Sequence, residues 1–240
     1  MVRWRYLLSA IFLTMNIAYA LEQRVAPHYV QTFVWVNTEL LSPAVERDIW
    51  WVATRYSQEF IDSLAPEEET HFYAILSLFE EARWILSGMV YGLWFEYTPS
   101  SREHQVSEEF LLQHIELIKL GDKNMRLVSV ATSGSWLGLT FEYALSSEQY
   151  RYMQQKERLG ATHARGSARS ELHFGFDSRK VAIEESIKNA IFLKLRTLYR
   201  TRPHRVSGEL VLREPTLIDI KEGNWYAKSD IAMRVRRVEF

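Results

Sequence analysis

The stretch VAIEESIKNAIFLKLRTL (181–198), followed by RVSGELVL (205–212), LIDI (217–220) and WYAKSDIAMRVRRV (225–238), decides how this chain is read. Ile183, Ile187, Ala190, Ile191, Leu195 and Leu198 recur at helical spacing, so a helix from Arg179 to about Tyr199 buries one face. Asp177 or Ser178 is the expected cap, and Arg202-Pro203 stops the helix. Three segments rich in β-branched residues follow. Pro215 separates the first two, and Glu222-Gly223-Asn224 makes the turn before the third. The order predicts a helix followed by a three-stranded antiparallel meander.

Working upstream, His28–Val36 reads as a strand and Ser42-Pro43 as a helix start, with Val45, Ile49, Val52, Tyr56 and Phe60 on its buried face as far as Ala65-Pro66. Glu67, Glu68 and Glu69 then open a second helix, because acids suit the positive end of a helix. Its apolar stripe is Phe72, Ile75, Leu76, Phe79, Ala82 and Leu86, and Gly88 is its expected stop. Met89–Tyr97 reads as a buried strand and Phe110–Leu120 as helix or strand. Met125–Thr132 and Trp136–Leu145 form a hairpin around Ser133-Gly134-Ser135.

Residues 146–170 hold little apolar content after Leu159 and read as a short helix and an exposed loop. They are the expected linker between an acidic lobe, 21–145, and a basic lobe, 171–240. The expected fold is therefore α+β, with antiparallel sheet packed against helices in two related helix-plus-meander lobes. Leu86-Ser87-Gly88-Met89-Val90 and Val206-Ser207-Gly208-Glu209-Leu210 echo one another, either through duplication or because helix-to-strand turns reuse Ser and Gly.

The N-terminus sets the expected compartment. Arg3 and Arg5 precede an uncharged, mostly apolar run from Tyr6 to Ala18 that ends in Ala18-Tyr19-Ala20, a small-x-small site. The run is shorter than the ~20 residues a membrane-spanning helix requires. A signal peptide over 1–20 with cleavage at Ala20-Leu21, and a periplasmic or secreted mature domain without a membrane span, are expected. The chain has no Cys, which removes disulfides and thiolate chemistry and suits a bacterial periplasm better than a disulfide-dense secreted domain. A hydrophobic content of 47% with 13% aromatics excludes a disordered chain.

Charge is unevenly placed. Residues 21–150 hold 19 Asp+Glu against 8 Lys+Arg, and residues 151–240 hold 19 Lys+Arg against 11 Asp+Glu. Either the halves neutralise one another within the fold, or the basic half meets an anionic partner.

No catalytic pattern survives its own geometry. In Gly134-Ser135-Trp136-Leu137-Gly138 the serine follows glycine directly, whereas a nucleophile elbow needs a residue between them. The seven histidines show no His-x3-His spacing, and no metal or cofactor is expected. Glu80-Glu81 and Glu108-Glu109 read as solvated neighbours, not as a carboxylate pair across a cleft. Phe240 ends the chain as barrel strands often do, but Arg234 and Arg236 break the alternation a barrel needs. The candidate binding residues are Lys194, Arg196, Arg200, Arg202 and Arg205, with His204 among them. They suit either the helix C-terminus or a phosphate-rich ligand. Trp50 and Trp51 are added because adjacent helix residues cannot both face inward, and an exposed indole can stack on a sugar.

The helix-plus-meander order of the C-terminal third, with Ile187-Lys188-Asn189-Ala190 inside it, resembles bacterial envelope domains. These are the N-terminal domain of the flagellar-assembly protein T and a related group of small surface lipoproteins. The resemblance covers about 70 of 240 residues, and the chain departs from the lipoproteins in having no Cys. It implies a non-enzymatic periplasmic structural or assembly factor with envelope or flagellar protein partners, and it supplies no site residues. The alternative is a module for an anionic glycan or lipid headgroup. No nucleic-acid partner is expected.

Overall fold

The computed structural model describes residues 28–37, 39, 45–100, 106–158, 162–173 and 175–240. The expected signal peptide and the Ser42-Pro43 helix start lie outside them. The fold is α+β, built from two antiparallel sheets packed against helices.

The smaller sheet has the order β1-β5-β4, from β1 (Tyr29–Asn37), β4 (Met125–Ser133) and β5 (Trp136–Ala144). The β4–β5 hairpin falls where the sequence predicts. Alternation sends Val30, Thr32, Val34, Leu137, Leu139, Phe141 and Tyr143 inward, and all seven are buried. The larger sheet has the order β3-β2-β7-β9-β6, from β2 (Leu93–Thr98), β3 (Glu109–His114), β6 (Thr162–Glu171), β7 (Arg205–Leu212) and β9 (Asn224–Glu239). β8 (Leu217–Lys221) also pairs with β9.

Three expectations about the larger sheet are corrected. The segment 146–170 begins with a helix, as expected, but does not continue as a loop. It is α4 (Ser147–Arg158) followed by β6, whose whole length pairs with β9. Its Gly166 explains why so polar a segment is held in a sheet: α5 (Phe176–Leu198) crosses here, and a Cβ on Gly166 would stand 2.2 Å from the Ser186 carbonyl oxygen and 2.3 Å from the Ala190 nitrogen. Glycine lets helix and strand backbones touch. Second, the last three strands are no simple meander. β7 pairs with β9 over 231–239 and β8 with β9 over 224–228, while β6 takes the other edge over 224–233. Third, β2 pairs with β7, so strands from both halves of the sequence share one sheet where two lobes were expected.

The first predicted helix is two, α1 (Val45–Ala53) and α2 (Gln58–Ser63), broken at Thr54–Arg55. Ser57 caps α2 by accepting from the Phe60 N–H. The second, α3 (Pro66–Val90), runs through Gly88 to Gly92, whose φ of +83° turns the chain into β2. Gly88 is a packing residue, since a Cβ there would meet the Leu212 and Leu93 side chains. The echo between 86–90 and 206–210 therefore sets helix against strand. From Trp84 to Val90 every residue of α3 is buried, because this end of the helix packs against both β1 and β7. α5 starts at Phe176, earlier than expected, with Gly175 at its cap. It buries Ile183, Ile187, Ala190, Ile191 and Leu195, whereas Leu198 is exposed.

One ion pair ties the layers together. Arg179 of α5 donates to Glu81 of α3 at 2.6 Å and to the Trp35 carbonyl of β1. Its guanidinium lies 4.9 Å from the Trp35 ring and 4.3 Å from that of Trp225 on β9. Glu81, read from sequence as solvated, is 2% exposed. Burial pushes its carboxyl pKa up, and the Arg179 guanidinium opposes that rise.

Candidate functional site

The predicted basic cluster assembles at the end of the molecule where α5 stops, β7 starts and β9 finishes. Lys194 and Arg196 lie on the last turns of α5, with Arg196 over the Phe192 ring. Arg200 and Arg202 are exposed in the connection to β7, and Arg205 opens that strand. The end of β9 is locked against this connection. The His204 N–H donates to the Glu239 carbonyl at 2.7 Å, and the Tyr199 and Phe240 rings meet edge-on at 5.8 Å.

This contact adds three arginines that sequence reasoning passed over. Arg234, Arg236 and Arg237 of β9 lie beside β7, where the pairing shifts register between Ser207 and Gly208. The shift skips Arg236. Arg234 is paired with Glu209 in the ladder, and Arg236 reaches the same Glu209 at 3.2 Å, so both belong to the sheet face turned away from α5. Alternation alone puts Arg234 and Arg236 on one face; what counting residues cannot show is that the β7–β9 ladder sets them beside the start of β7. The sequence did show Arg234 and Arg236, but as a breach of barrel alternation, and it left Arg237 unremarked.

Eight cations thus gather at one end. Three carboxylates there each hold one of them: Glu96 with Arg205, Glu209 with Arg236, and Glu239 with Arg237 at 2.8 Å. Lys194, Arg196, Arg200, Arg202 and Arg234 close no ion pair among the described residues, although Arg202 acts on Glu108 at longer range and Arg234 faces Glu209 across the ladder. The nearby Glu108 is already committed, accepting from the Tyr97 hydroxyl at 2.7 Å and from Lys188 at 3.0 Å. The Tyr97 hydrogen bond holds its carboxyl below the usual range, and Lys188 and Arg202 add to that. The two readings of the charge split therefore each hold in part. Arg179–Glu81, Lys188–Glu108 and Arg205–Glu96 join the basic half to the acidic half, while most of the predicted cluster stays in excess.

Trp50 and Trp51 sit apart on α1, which packs on α3 and β4. They are 49% and 39% exposed. Trp51 is stacked on Phe72 at 5.2 Å and carries the Arg55 guanidinium at 4.6 Å, so Trp50 is the more open indole. Among the described residues no group of three or more His, Cys, Asp or Glu could hold a metal ion, and no helix is long and apolar enough to cross a membrane.

A protein-family model matches residues 19–239, and the chain belongs to that family. A protein of Treponema pallidum (strain Nichols), described as uncharacterized, is 24% identical over 162 residues, 68% of each chain. No solved structure matches.

Proposed function

We propose that this is a non-catalytic binding protein of the bacterial envelope whose basic end, where α5 meets β7 and β9, docks a phosphate-bearing ligand. The observation that carries the reading is the excess of cations at that end: among the described residues, eight stand against Glu96, Glu209 and Glu239, with Glu108 nearby already held by Tyr97 and Lys188. Arginine forks suit phosphate oxygens, and a surface with several uncompensated cations attracts a polyanion over a Debye length. The envelope placement rests on Arg3, Arg5 and the Ala18-Tyr19-Ala20 site.

The test uses phosphatidylglycerol vesicles, phosphatidylcholine vesicles and soluble polyphosphate at low and high salt. The expected result is salt-sensitive binding to the anionic probes. It should fall about tenfold or more in the triple variant Arg196→Gln, Arg200→Gln, Arg202→Gln, with a thermal midpoint little changed, because none of the three closes an ion pair among the described residues and Arg202 acts on Glu108 only at longer range. A triple variant that binds as well as wild type sinks the reading. A triple variant that is clearly destabilised would restore the intramolecular account of these charges.

A second reading, an assembly factor acting through protein contacts, is favoured by the exposed pair Trp50 and Trp51, since indoles anchor protein interfaces. It predicts a discrete partner protein whose co-purification is lost in Trp50→Ala.

A further inference from the structure

We infer that β3 is the pairing edge of a two-fold dimer, in which β3 of one copy lies antiparallel to β3 of a second and joins the two larger sheets. A sheet edge presents unpaired N–H and C=O groups to any strand that approaches, and folds that avoid such pairing blunt their edges. The other edges of the two sheets, β1, β4, β6 and the free side of β8, are all blunted. On β1 the outward Trp35 carbonyl accepts from Arg179. On β4 the pairing with β5 shifts between Leu127 and Ser129, an irregularity that bends the edge. On β6 the Asn189 amide of α5 donates to the Ser167 carbonyl at 2.9 Å, and the strand carries Arg165 and Arg169. On β8 the Trp35 indole donates to the Ile218 carbonyl at 3.2 Å, and the Asp219 carboxylate accepts from the Ile220 N–H at 2.8 Å.

β3 has no such guard. The Ile115 N–H donates to the Gly92 carbonyl at 3.1 Å, which fixes the phase of the ladder with β2. Residues 109, 111 and 113 bond β2, so the N–H and C=O groups of Phe110, Leu112 and His114 point outward. Among the described residues no hydrogen bond reaches those backbone groups. The stretch 106–118 contains no Lys, Arg or Pro, the residues that discourage strand pairing. Its Leu111 is 47% exposed at the middle of the strand.

Charge sets the register. Two antiparallel copies bond through their outward residues, so even-numbered positions face even-numbered ones. With the two-fold axis at Leu111, Phe110 faces Leu112 of the second copy, Leu111 faces its own equivalent, Glu109 faces Gln113 and Glu108 faces His114. No like charges meet. With the axis one residue further on, at Leu112, Glu108 would face Glu116, and like charges directly opposite destabilise a pair. The interface is isologous, as a closed dimer requires. It shares no residue with the cluster of cations at the basic end.

The test is sedimentation equilibrium of the full chain. A single strand edge makes a small interface, so the expected Kd is micromolar and the dimer is read at about 100 μM. Leu111→Lys sets two ammonium groups on the axis and should weaken the dimer at least about tenfold. Its thermal midpoint should match wild type, because the side chain it replaces is exposed. Leu111→Cys gives a second readout. Facing Cα atoms at a non-hydrogen-bonded pair stand about 4.5 Å apart, within disulfide reach. The chain has no Cys of its own, so mild oxidation should yield one cross-linked dimer. Gln113→Cys, which faces Glu109, should not cross-link. The Arg196, Arg200, Arg202 triple Gln variant should dimerise as wild type does, which separates failure here from failure of the basic end. A wild-type chain monomeric at that concentration, a dimer that survives Leu111→Lys, or cross-linking of Gln113→Cys in preference to Leu111→Cys would overturn the assignment. So would a β3 that takes up an unrelated extended peptide and pairs with no second copy.

Discussion

Replacing Arg179 with methionine should lower stability by about 3–5 kcal/mol, the cost of removing one partner from a buried ion pair. The loss would be read from urea midpoints at pH 7. The size follows from what stays behind. Glu81 would be a carboxylate with 2% of its surface exposed and no cation, and the Trp35 carbonyl would lose the donor that reaches it. The double change Arg179→Met, Glu81→Leu should recover much of the loss, because it leaves no orphaned charge. With the guanidinium gone, nothing opposes the upward push of burial on the Glu81 carboxyl. Its folded pKa would then lie further above the unfolded one, and the single variant should regain stability as pH falls through that folded value. A loss under about 1 kcal/mol at pH 7 would mean the pair is solvated.

His114 should make the fold acid-sensitive. Burial, aided by Lys180 and Arg83, lowers its pKa from 6.5 to about 4, while its bond to the Trp84 carbonyl at 2.9 Å works the other way. The ring stands edge-on to the Trp84 indole at 4.7 Å. In the unfolded chain the imidazole takes a proton near pH 6.5, and in the folded protein only near 4. Between these values the unfolded state binds more protons, so stability falls as pH is lowered through that window and is fully present above it. A shift of this size corresponds to about 3 kcal/mol. His114→Gln should flatten the dependence between pH 7 and 4. The readout is the difference between wild type and variant, which removes the background from other acids. Equal slopes would show that the imidazole takes its proton at the same pH in the folded and the unfolded chain.

What the sequence makes legible is whatever depends on local pattern. The α5 face, the three acids at the start of α3 and the β4–β5 hairpin can all be read by periodicity, and the α+β class follows from them. What it conceals depends on partners far along the chain. β6 has the composition of a loop and is a strand because Gly166 lets α5 lie against it. Glu81 looks solvated beside Glu80 until Arg179, 98 residues away, is seen to hold it. The basic end was half legible. Lys194 to Arg205 form one run in sequence, but Arg234, Arg236 and Arg237 join them only through the β7–β9 ladder and its shifted register.

The pairing of β9 also sets an order in time. β6 and β8 have no other partner in this sheet, whereas β3, β2 and β7 pair with one another without it. β9 comes after every other described strand. A nascent chain that stops short of residue 224 can therefore join β3, β2 and β7, but it leaves β6 and β8 with exposed edges. Those two strands gain their pairing energy only when the last strand is available, so they are the part of the sheet whose assembly waits for the end of synthesis.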